Sequence, residues 1–93
     1  MKDVLMFYLE DCGYCRKARL AMDELFEEKP AYRELKITRI EESEDPVTAD
    51  RYDYYAVPTF YVDGEKRFEA HIGMSYEAIK DAVRQVLDHA LGA

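Results

Sequence analysis

The sequence has 93 residues, of which 48% are hydrophobic, and it carries a net charge of −7. This length and composition predict one folded domain over residues 1–93 and not a disordered chain. The acidity argues against nucleic acid or an anionic lipid surface as a partner, because both are negatively charged. No run approaches the ~18 apolar residues of a membrane span, no signal peptide is indicated, and two cysteines do not make a secreted disulfide framework. We therefore expect a cytoplasmic protein.

The first half of the chain alternates strand and helix patterns. The apolar run Val4–Leu9 has the length of a strand that is buried on both faces. Apolar residues then recur at helical spacing from Cys15 to Phe26, until Pro30 ends the pattern. A second strand is predicted near Tyr32–Ile40, and it should pair in parallel with the first through a right-handed crossover.

The second half of the chain predicts a short helix, a hairpin and a long helix. Asp45 can cap the short helix, which begins with a proline. Asp63-Gly64 is a two-residue hairpin signal between strands at Thr59–Val62 and Glu65–Ile72. Ser75 can cap the last helix, which has a complete apolar stripe. The apolar residues assigned to the two helices are Val47, Tyr52 and Tyr55 on the first and Ile79, Ala82, Val83, Val86, Leu87, Ala90 and Leu91 on the second.

The element order β-α-β-α-β-β-α predicts the fold class directly. A parallel first half joined to an antiparallel hairpin gives a mixed four-stranded sheet. The amphipathic helices must bury their apolar faces against that sheet, so we expect an α/β fold with three helices distributed over both faces.

The only two cysteines lie in the stretch DCGYC, where the first strand gives way to the first helix. Cys12 falls at the helix start, where unpaired backbone N–H groups and the helix dipole favour a thiolate. Cys15 lies one turn later and continues the apolar stripe, so we expect it to be the more buried sulfur. This asymmetry predicts a two-step exchange in which Cys12 attacks a disulfide and Cys15 resolves the mixed disulfide.

Other uses of a cysteine pair fit this sequence less well. A structural zinc site needs four Cys or His ligands, and neither His71 nor His89 has ligand spacing to the pair. A structural disulfide at this spacing would close a small loop and constrain the unfolded chain little. A non-catalytic interaction domain would have no need of the intact pair.

Three segments resemble the thioredoxin/glutaredoxin superfamily, and together they extend over nearly the whole chain. They are FYLEDCGYC (Phe7–Cys15), YDYYAVPTFYVDGE (Tyr52–Glu65) and HIGMS (His71–Ser75). The resemblance implies a thioredoxin fold and a cis Val57–Pro58 peptide bond that faces the cysteines. It also implies that the backbone before this proline pairs with an extended substrate. The substrate-binding residues suggested by the resemblance are Tyr14, Val57, Pro58, Thr59 and Gly73.

The chain combines features of two branches of this superfamily. Tyr14 between the cysteines is similar to glutaredoxins, whereas the Pro-Thr pair and the long hairpin are similar to thioredoxins. The glutathione-binding features are incomplete: Leu9-Glu10 stands where glutaredoxins typically have a lysine, and Ala56 stands where they have a threonine. The buried acid that assists proton transfer in thioredoxins would fall at Met6.

We therefore expect a thioredoxin-like thiol–disulfide oxidoreductase that reduces protein disulfides as a monomer, with no bound cofactor. Its electrons would come from a reductase protein or, alternatively, from glutathione. A glutathione-dependent glutaredoxin is the second reading of the function. A glutaredoxin-type iron–sulfur module, with the cluster held between two protomers by cysteine and glutathione, is a third.

Overall fold

The computed structural model describes residues 1–92. The strands are β1 (Val4–Tyr8), β2 (Ile37–Glu41), β3 (Thr59–Val62) and β4 (Glu65–Glu69). The helices are α1 (Gly13–Glu28), α2 (Pro46–Ala49) and α3 (Tyr76–Leu91), and a 3-10 helix at Pro30–Glu34 follows α1. Within residues 1–92, no helix has both the length and the apolar character needed to cross a membrane.

The four strands form one mixed sheet in the order β2-β1-β3-β4. Strand β1 pairs in parallel with β2 and antiparallel with β3, and β3 pairs antiparallel with β4. This arrangement confirms the predicted α/β architecture. The central position of β1 explains its continuous apolar sequence, because a strand with neighbours on both sides and layers on both faces has no side open to water.

Helices α1 and α3 cover one face of the sheet, and the main core lies between them and the strands. The side chains of this core come from β1, β3, α1, α3, the 3-10 helix and Leu35, while Ile37 of β2 and Phe68 of β4 pack against its edge. The buried residues of the core are Val4, Met6, Ala18, Met22, Leu25, Tyr32, Leu35, Phe60, Val62, Ile79, Val83, Val86, Leu87 and Ala90. The two helices are also tied at their surface, where Lys80 pairs with Glu24 at 3.2 Å and with Glu28 at 2.6 Å.

The opposite face of the sheet is covered by the segment that follows β2, and its packing is aromatic. Phe7 of β1 is fully buried. The ring of Tyr54 stacks on Phe7 at a centroid distance of 4.9 Å, and the ring of Tyr52 lies 5.0 Å away. Tyr61 of β3 completes the cluster at 6.0 Å. Adjacent residues of β1 point to opposite faces, so Met6 enters the first core while Phe7 enters this second one.

The predicted helix caps are present. The Asp45 carboxylate accepts a hydrogen bond from the Thr48 N–H at 3.2 Å, and Ser75 Oγ accepts one from the Ala78 N–H at 3.1 Å. At the other end of α3, Gly92 has a φ of 83°, a left-handed conformation that terminates helices and favours glycine.

Two of the predicted elements have different bounds in the structure. Strand β2 begins at Ile37 and not near Tyr32, because the chain forms a 3-10 helix at Pro30–Glu34 before it enters the sheet. The last strand of the hairpin ends at Glu69 and not at Ile72. Its partner β3 begins only after Pro58, which has no N–H to contribute to a ladder.

The predicted short helix also ends earlier than expected. Helix α2 stops at Ala49, so Tyr52 and Tyr55 lie beyond it. Val47, assigned to its apolar face, is 66% exposed. The predicted apolar face of α2 is therefore not buried, because a helix of one turn has no continuous face to bury.

Candidate active site

Cys12 occupies the N-cap position of α1. Its backbone is extended, with φ −119° and ψ 123°, and its carbonyl accepts the Arg16 N–H at 2.9 Å. Its Sγ accepts a hydrogen bond from the Cys15 N–H at 3.4 Å. The thiol in turn donates to the Val57 carbonyl at 3.7 Å. The side chain is half-buried, so this sulfur lies at the positive end of a helix and can still be reached from solvent.

Cys15 lies in a different environment one helical turn later. It is fully buried, and its Sγ accepts a hydrogen bond from the Leu9 N–H at 3.4 Å. Burial raises the pKa of the Cys15 thiol to about 12, and proximity to Cys12 adds to the rise, while the Leu9 N–H and the Arg19 charge oppose it. Both cysteines are free thiols in the structure. At neutral pH, the Cys15 thiol is therefore protonated.

A loop that ends in a cis proline lies opposite Cys12. The Val57–Pro58 peptide bond is cis, and the Val57 carbonyl is the group that contacts the Cys12 thiol. Pro58 is buried, and its carbonyl accepts the Ala70 N–H at 3.0 Å. Thr59 is fully buried, and its hydroxyl donates to the Ala56 carbonyl at 2.5 Å. Thr59 thus supports the loop from behind, whereas Val57 is only half-buried.

Glu69, at the end of β4, binds the start of the same loop, and no sequence pattern distinguishes this residue. Its carboxylate accepts the backbone N–H groups of Tyr55 at 2.6 Å and of Ala56 at 2.8 Å. The other carboxylate oxygen pairs with Lys66 at 2.8 Å. In the sequence, Glu69 is one of several charged residues on a hairpin, and only the path of the loop shows what it binds.

Tyr14 and Gly73 are brought together by the fold. The Tyr14 hydroxyl accepts the Gly73 N–H at 2.7 Å, and Gly73 has a φ of 95°, which suits a residue without a Cβ. The Lys17 ammonium lies 5.3 Å from the centre of the Tyr14 ring. Tyr14 therefore joins the active-site helix to the loop before α3.

Two large hydrophobic side chains near this site are almost completely exposed. They are Tyr55 at 94% and Ile72 at 92%. Tyr55 lies two residues before Val57, and Ile72 is next to Gly73, so both belong to loops that contact Cys12 or Tyr14. The sequence predicts Ile72 only as the end of a strand and as part of the segment His71–Ser75. The signal that could have found it is an apolar residue directly before a turn glycine.

The remaining candidates lie away from the cysteines or pack against other residues. Tyr54 stacks on Phe7 and donates its hydroxyl to Glu42 at 2.7 Å. His71 is exposed on the loop after β4, and His89 lies on α3. Among residues 1–92, no group of three or more Cys, His, Asp or Glu is arranged to hold a metal ion.

A half-exposed thiol at a helix start, a buried thiol one turn later and a cis-proline loop opposite them define a thiol–disulfide oxidoreductase site. The Thioredoxin family model matches residues 2–85 of the sequence. The chain therefore belongs to the thioredoxin family, whose members exchange thiols and disulfides through a redox-active cysteine pair. Comparison with curated protein sequences gives no significant match.

Solved structures with this fold include several thioredoxins. The chain is similar to Fasciola hepatica thioredoxin with a TM-score of 0.67 and 22% identity, covering 96% of this chain and 80% of that one. For mitochondrial thioredoxin 3 from Saccharomyces cerevisiae the TM-score is 0.59 and the identity 26%, with 90% and 77% covered. For thioredoxin O1 from Arabidopsis thaliana the values are 0.62 and 24%, with 91% and 77% covered.

Proposed function

We propose that this protein reduces disulfide bonds of protein substrates, with Cys12 as the nucleophile and Cys15 as the resolving thiol. Membership of the thioredoxin family supports the chemistry of thiol–disulfide exchange. The observation that carries the assignment of roles is the contrast between the two sulfurs. Cys12 is accessible and accepts an N–H at the helix start, whereas Cys15 is fully buried with a pKa raised to about 12.

The reaction proceeds in two exchanges that balance electrons and protons. The Cys12 thiolate attacks one sulfur of the substrate disulfide, so an S–S bond forms between Cys12 and the substrate while the substrate's own S–S bond breaks. Cys15 then gives up its proton and attacks Cys12, which forms the Cys12–Cys15 disulfide and releases the second substrate thiol. The substrate gains two electrons, and the protein loses them.

The proton of Cys15 must leave before the second exchange. Met6, the position that the family resemblance assigns to a buried acid, is fully buried and cannot accept a proton. The departing substrate thiolate is a base generated at the site by the first exchange, and we assign the Cys15 proton to it or to water. Cys15 therefore reacts only after the first exchange has produced a mixed disulfide and a base together.

We assign an extended polypeptide to the surface around Cys12. The substrate would lie between the cis-proline loop of Val57 and Pro58, whose Val57 carbonyl contacts the Cys12 thiol, and Gly73, whose N–H is bound by Tyr14. Thr59 contributes by holding the loop. The exposed side chains of Tyr55 and Ile72 offer apolar contact area at the rim of a site that otherwise lies in an acidic protein. A small disulfide is too short to contact these side chains while it reacts at Cys12. The exposed apolar area therefore favours a protein substrate.

We propose that the protein acts as a monomeric single domain, that it needs no bound cofactor, and that a reductase protein returns it to the dithiol state. A cytoplasmic location would suit this cycle because thiols are kept reduced there. Glutathione is the alternative donor. The Ser75 hydroxyl, which could have helped to bind its carboxylate, accepts the Ala78 N–H at 3.1 Å, and Ala56 has no side-chain hydroxyl to offer.

Substitution of each cysteine tests the assignment of roles. We expect Cys12→Ser to abolish reduction of a disulfide protein such as insulin, because the attacking sulfur is lost. Cys15→Ser should still attack but should accumulate a mixed disulfide at Cys12, visible by mass spectrometry as an adduct that a reductant removes. Full reductase activity in Cys12→Ser, or an adduct on Cys15 in that variant, would overturn the assignment.

A paired assay decides between the electron donors. The wild-type protein is supplied either with a thioredoxin reductase system and a disulfide protein, or with the glutathione system and a small mixed disulfide. The proposal expects turnover in the first assay. Strong activity in the second assay alone would establish glutathione as the donor.

A further inference from the structure

The carboxylate of Glu69 accepts the backbone N–H groups of Tyr55 and Ala56, directly before the cis Val57–Pro58 bond. We propose that Glu69 is a positioning residue for substrate: it fixes the backbone before Val57–Pro58 so that this backbone is ready to pair with a substrate chain. This inference rests on the proposed reduction of protein disulfides and adds a residue to it that does not itself touch the reacting sulfurs.

Several contacts converge on the Glu69 side chain. One oxygen of Glu69 accepts both the Tyr55 N–H at 2.6 Å and the Ala56 N–H at 2.8 Å. The other oxygen accepts the Lys66 ammonium at 2.8 Å, and that ammonium also donates to the Asp53 carbonyl at 3.1 Å. A single carboxylate and its counter-ion therefore bind three backbone groups of one loop.

The Glu69–Lys66 pair differs from an ordinary surface ion pair on the same strand, Glu65–Arg67. The Glu69 side chain is 19% exposed, whereas Glu65, which pairs with Arg67, is 70% exposed. Burial acts to raise the pKa of Glu69, but Lys66 and the two backbone N–H groups outweigh it and hold that pKa below its ordinary value. Glu69 is thus charged at neutral pH, and its hydrogen bonds are of the stronger, charge-assisted kind.

Ala56 and Val57 connect Glu69 to the sulfur of Cys12. Ala56 is held at both ends, because its N–H is bound by Glu69 at 2.8 Å and its carbonyl by the Thr59 hydroxyl at 2.5 Å. The next residue, Val57, presents its carbonyl to Cys12. With Ala56 fixed on both sides, the Val57 backbone has little freedom to move away from the sulfur. A substrate that pairs with this backbone then meets a preformed surface and loses less entropy on binding.

The experiment compares three variants on two kinds of substrate. In Glu69→Ala both backbone hydrogen bonds are lost, and we expect kcat/KM for a disulfide protein to fall about tenfold, mainly through KM. Reduction of bis(2-hydroxyethyl) disulfide, which has no chain to pair, should change less than about twofold. Glu69→Gln keeps an oxygen for the two N–H groups and should retain most of the activity. Glu65→Ala is the matched control on the same strand and should resemble wild type.

A second readout does not depend on substrate. Amide hydrogen exchange at Tyr55 and Ala56 should become faster in Glu69→Ala and should stay near wild type in Glu65→Ala. Should Glu69→Ala fail to fold, as judged by circular dichroism, Glu69→Asp replaces it with the same readouts, because it keeps the charge but withdraws the carboxylate by one methylene.

The outcomes separate this inference from the proposed function. An equal loss on both substrates, no loss on the disulfide protein, or an equal loss in Glu65→Ala would overturn the positioning role. If the wild-type protein itself does not reduce protein disulfides, the proposed function fails. The exchange data then decide the role of Glu69, and unchanged exchange at Tyr55 and Ala56 in Glu69→Ala would refute it.

Discussion

At the scale of single residues, the two cysteines owe their different chemistry to one turn of helix. Cys12 stands before the first turn, where N–H groups point outward and none is yet satisfied within the helix. Cys15 lies inside the helix on its buried side, where the sulfur loses water and accepts the Leu9 N–H. The same type of side chain is thus accessible in one position, and buried and protonated in the other.

The raised pKa of Cys15 predicts how the stability of the dithiol form depends on pH. The value rises from 9.0 to about 12 on folding, so the folded state favours the protonated thiol. The protonated Cys15 thiol therefore stabilises the folded state fully below about pH 9. As the pH rises toward about 12 this stabilisation is lost, which lowers the free energy of unfolding by at most about 4 kcal/mol. Urea unfolding with a phosphine reductant, measured from about pH 8 to about pH 11, should show the decline.

The control for this prediction is Cys15→Ala. Tyr32, Tyr54 and Tyr76 also have raised pKa values, chiefly through burial, and they contribute a decline of the same sign at higher pH. The difference between wild type and Cys15→Ala isolates the thiol. Parallel stability curves for the two proteins above about pH 9 would contradict a buried, protonated Cys15.

Among the secondary-structure elements, each of the three helices begins at a residue whose side chain caps it. Helix α1 begins at a cysteine, α2 at an aspartate and α3 at a serine, and each of these side chains accepts a backbone N–H of the first turn. Two of these caps use oxygen acceptors, whereas the cap of α1 is the sulfur that we propose as the nucleophile. The site is therefore built from a general helix-capping position in which sulfur replaces the usual oxygen.

The cap of α3 gives a prediction at this scale. Ser75→Ala removes the acceptor for the Ala78 N–H and should lower the free energy of unfolding by about 1 kcal/mol. Ser75→Asp retains an acceptor and a favourable charge at the helix start, so it should stay close to wild type. Urea denaturation measures both. An equal loss in the two variants would show that the hydroxyl contributes through something other than capping.

Across the fold, the two cores share the neighbouring strands β1 and β3, and β1 is the one that leads to Cys12. Met6 points into the core under α1 and α3, and Phe7 points into the aromatic cluster on the other face. The strand that leads to Cys12 is therefore fixed from both sides, which keeps the start of α1 in place relative to the rest of the sheet.

The double role of β1 predicts the outcome of substitutions on the aromatic face. Phe7→Ala should lower the free energy of unfolding by about 3–5 kcal/mol, because it leaves a cavity among three tyrosine rings. Tyr55→Ala should change it by less than about 0.5 kcal/mol, since that side chain is 94% exposed. Chemical denaturation of the two variants, compared with wild type, tests whether the tyrosine-rich segment is a true second core.

Much of this architecture could be predicted from the sequence because it depends on local patterns. The run Val4–Leu9 identified the buried strand, and the helical stripe through Cys15 identified the buried sulfur. Asp63-Gly64 identified the hairpin turn. Two wrong predictions, a strand from Tyr32 and a longer α2, fall where a turn of helix is too short to show a period. The third, a last strand that continues to Ile72, failed because its partner β3 begins only after Pro58.

The order of the elements, the α/β class and the contrast between Cys12 and Cys15 follow from local sequence patterns, because periodicity and capping are properties of neighbouring residues. What lies opposite the cysteines depends on contacts between distant parts of the chain. The contacts of Cys12 with Val57, of Tyr14 with Gly73 and of Glu69 with Ala56 span 45, 59 and 13 residues. Such contacts depend on the path of each loop through space, and no local pattern along the chain records that path.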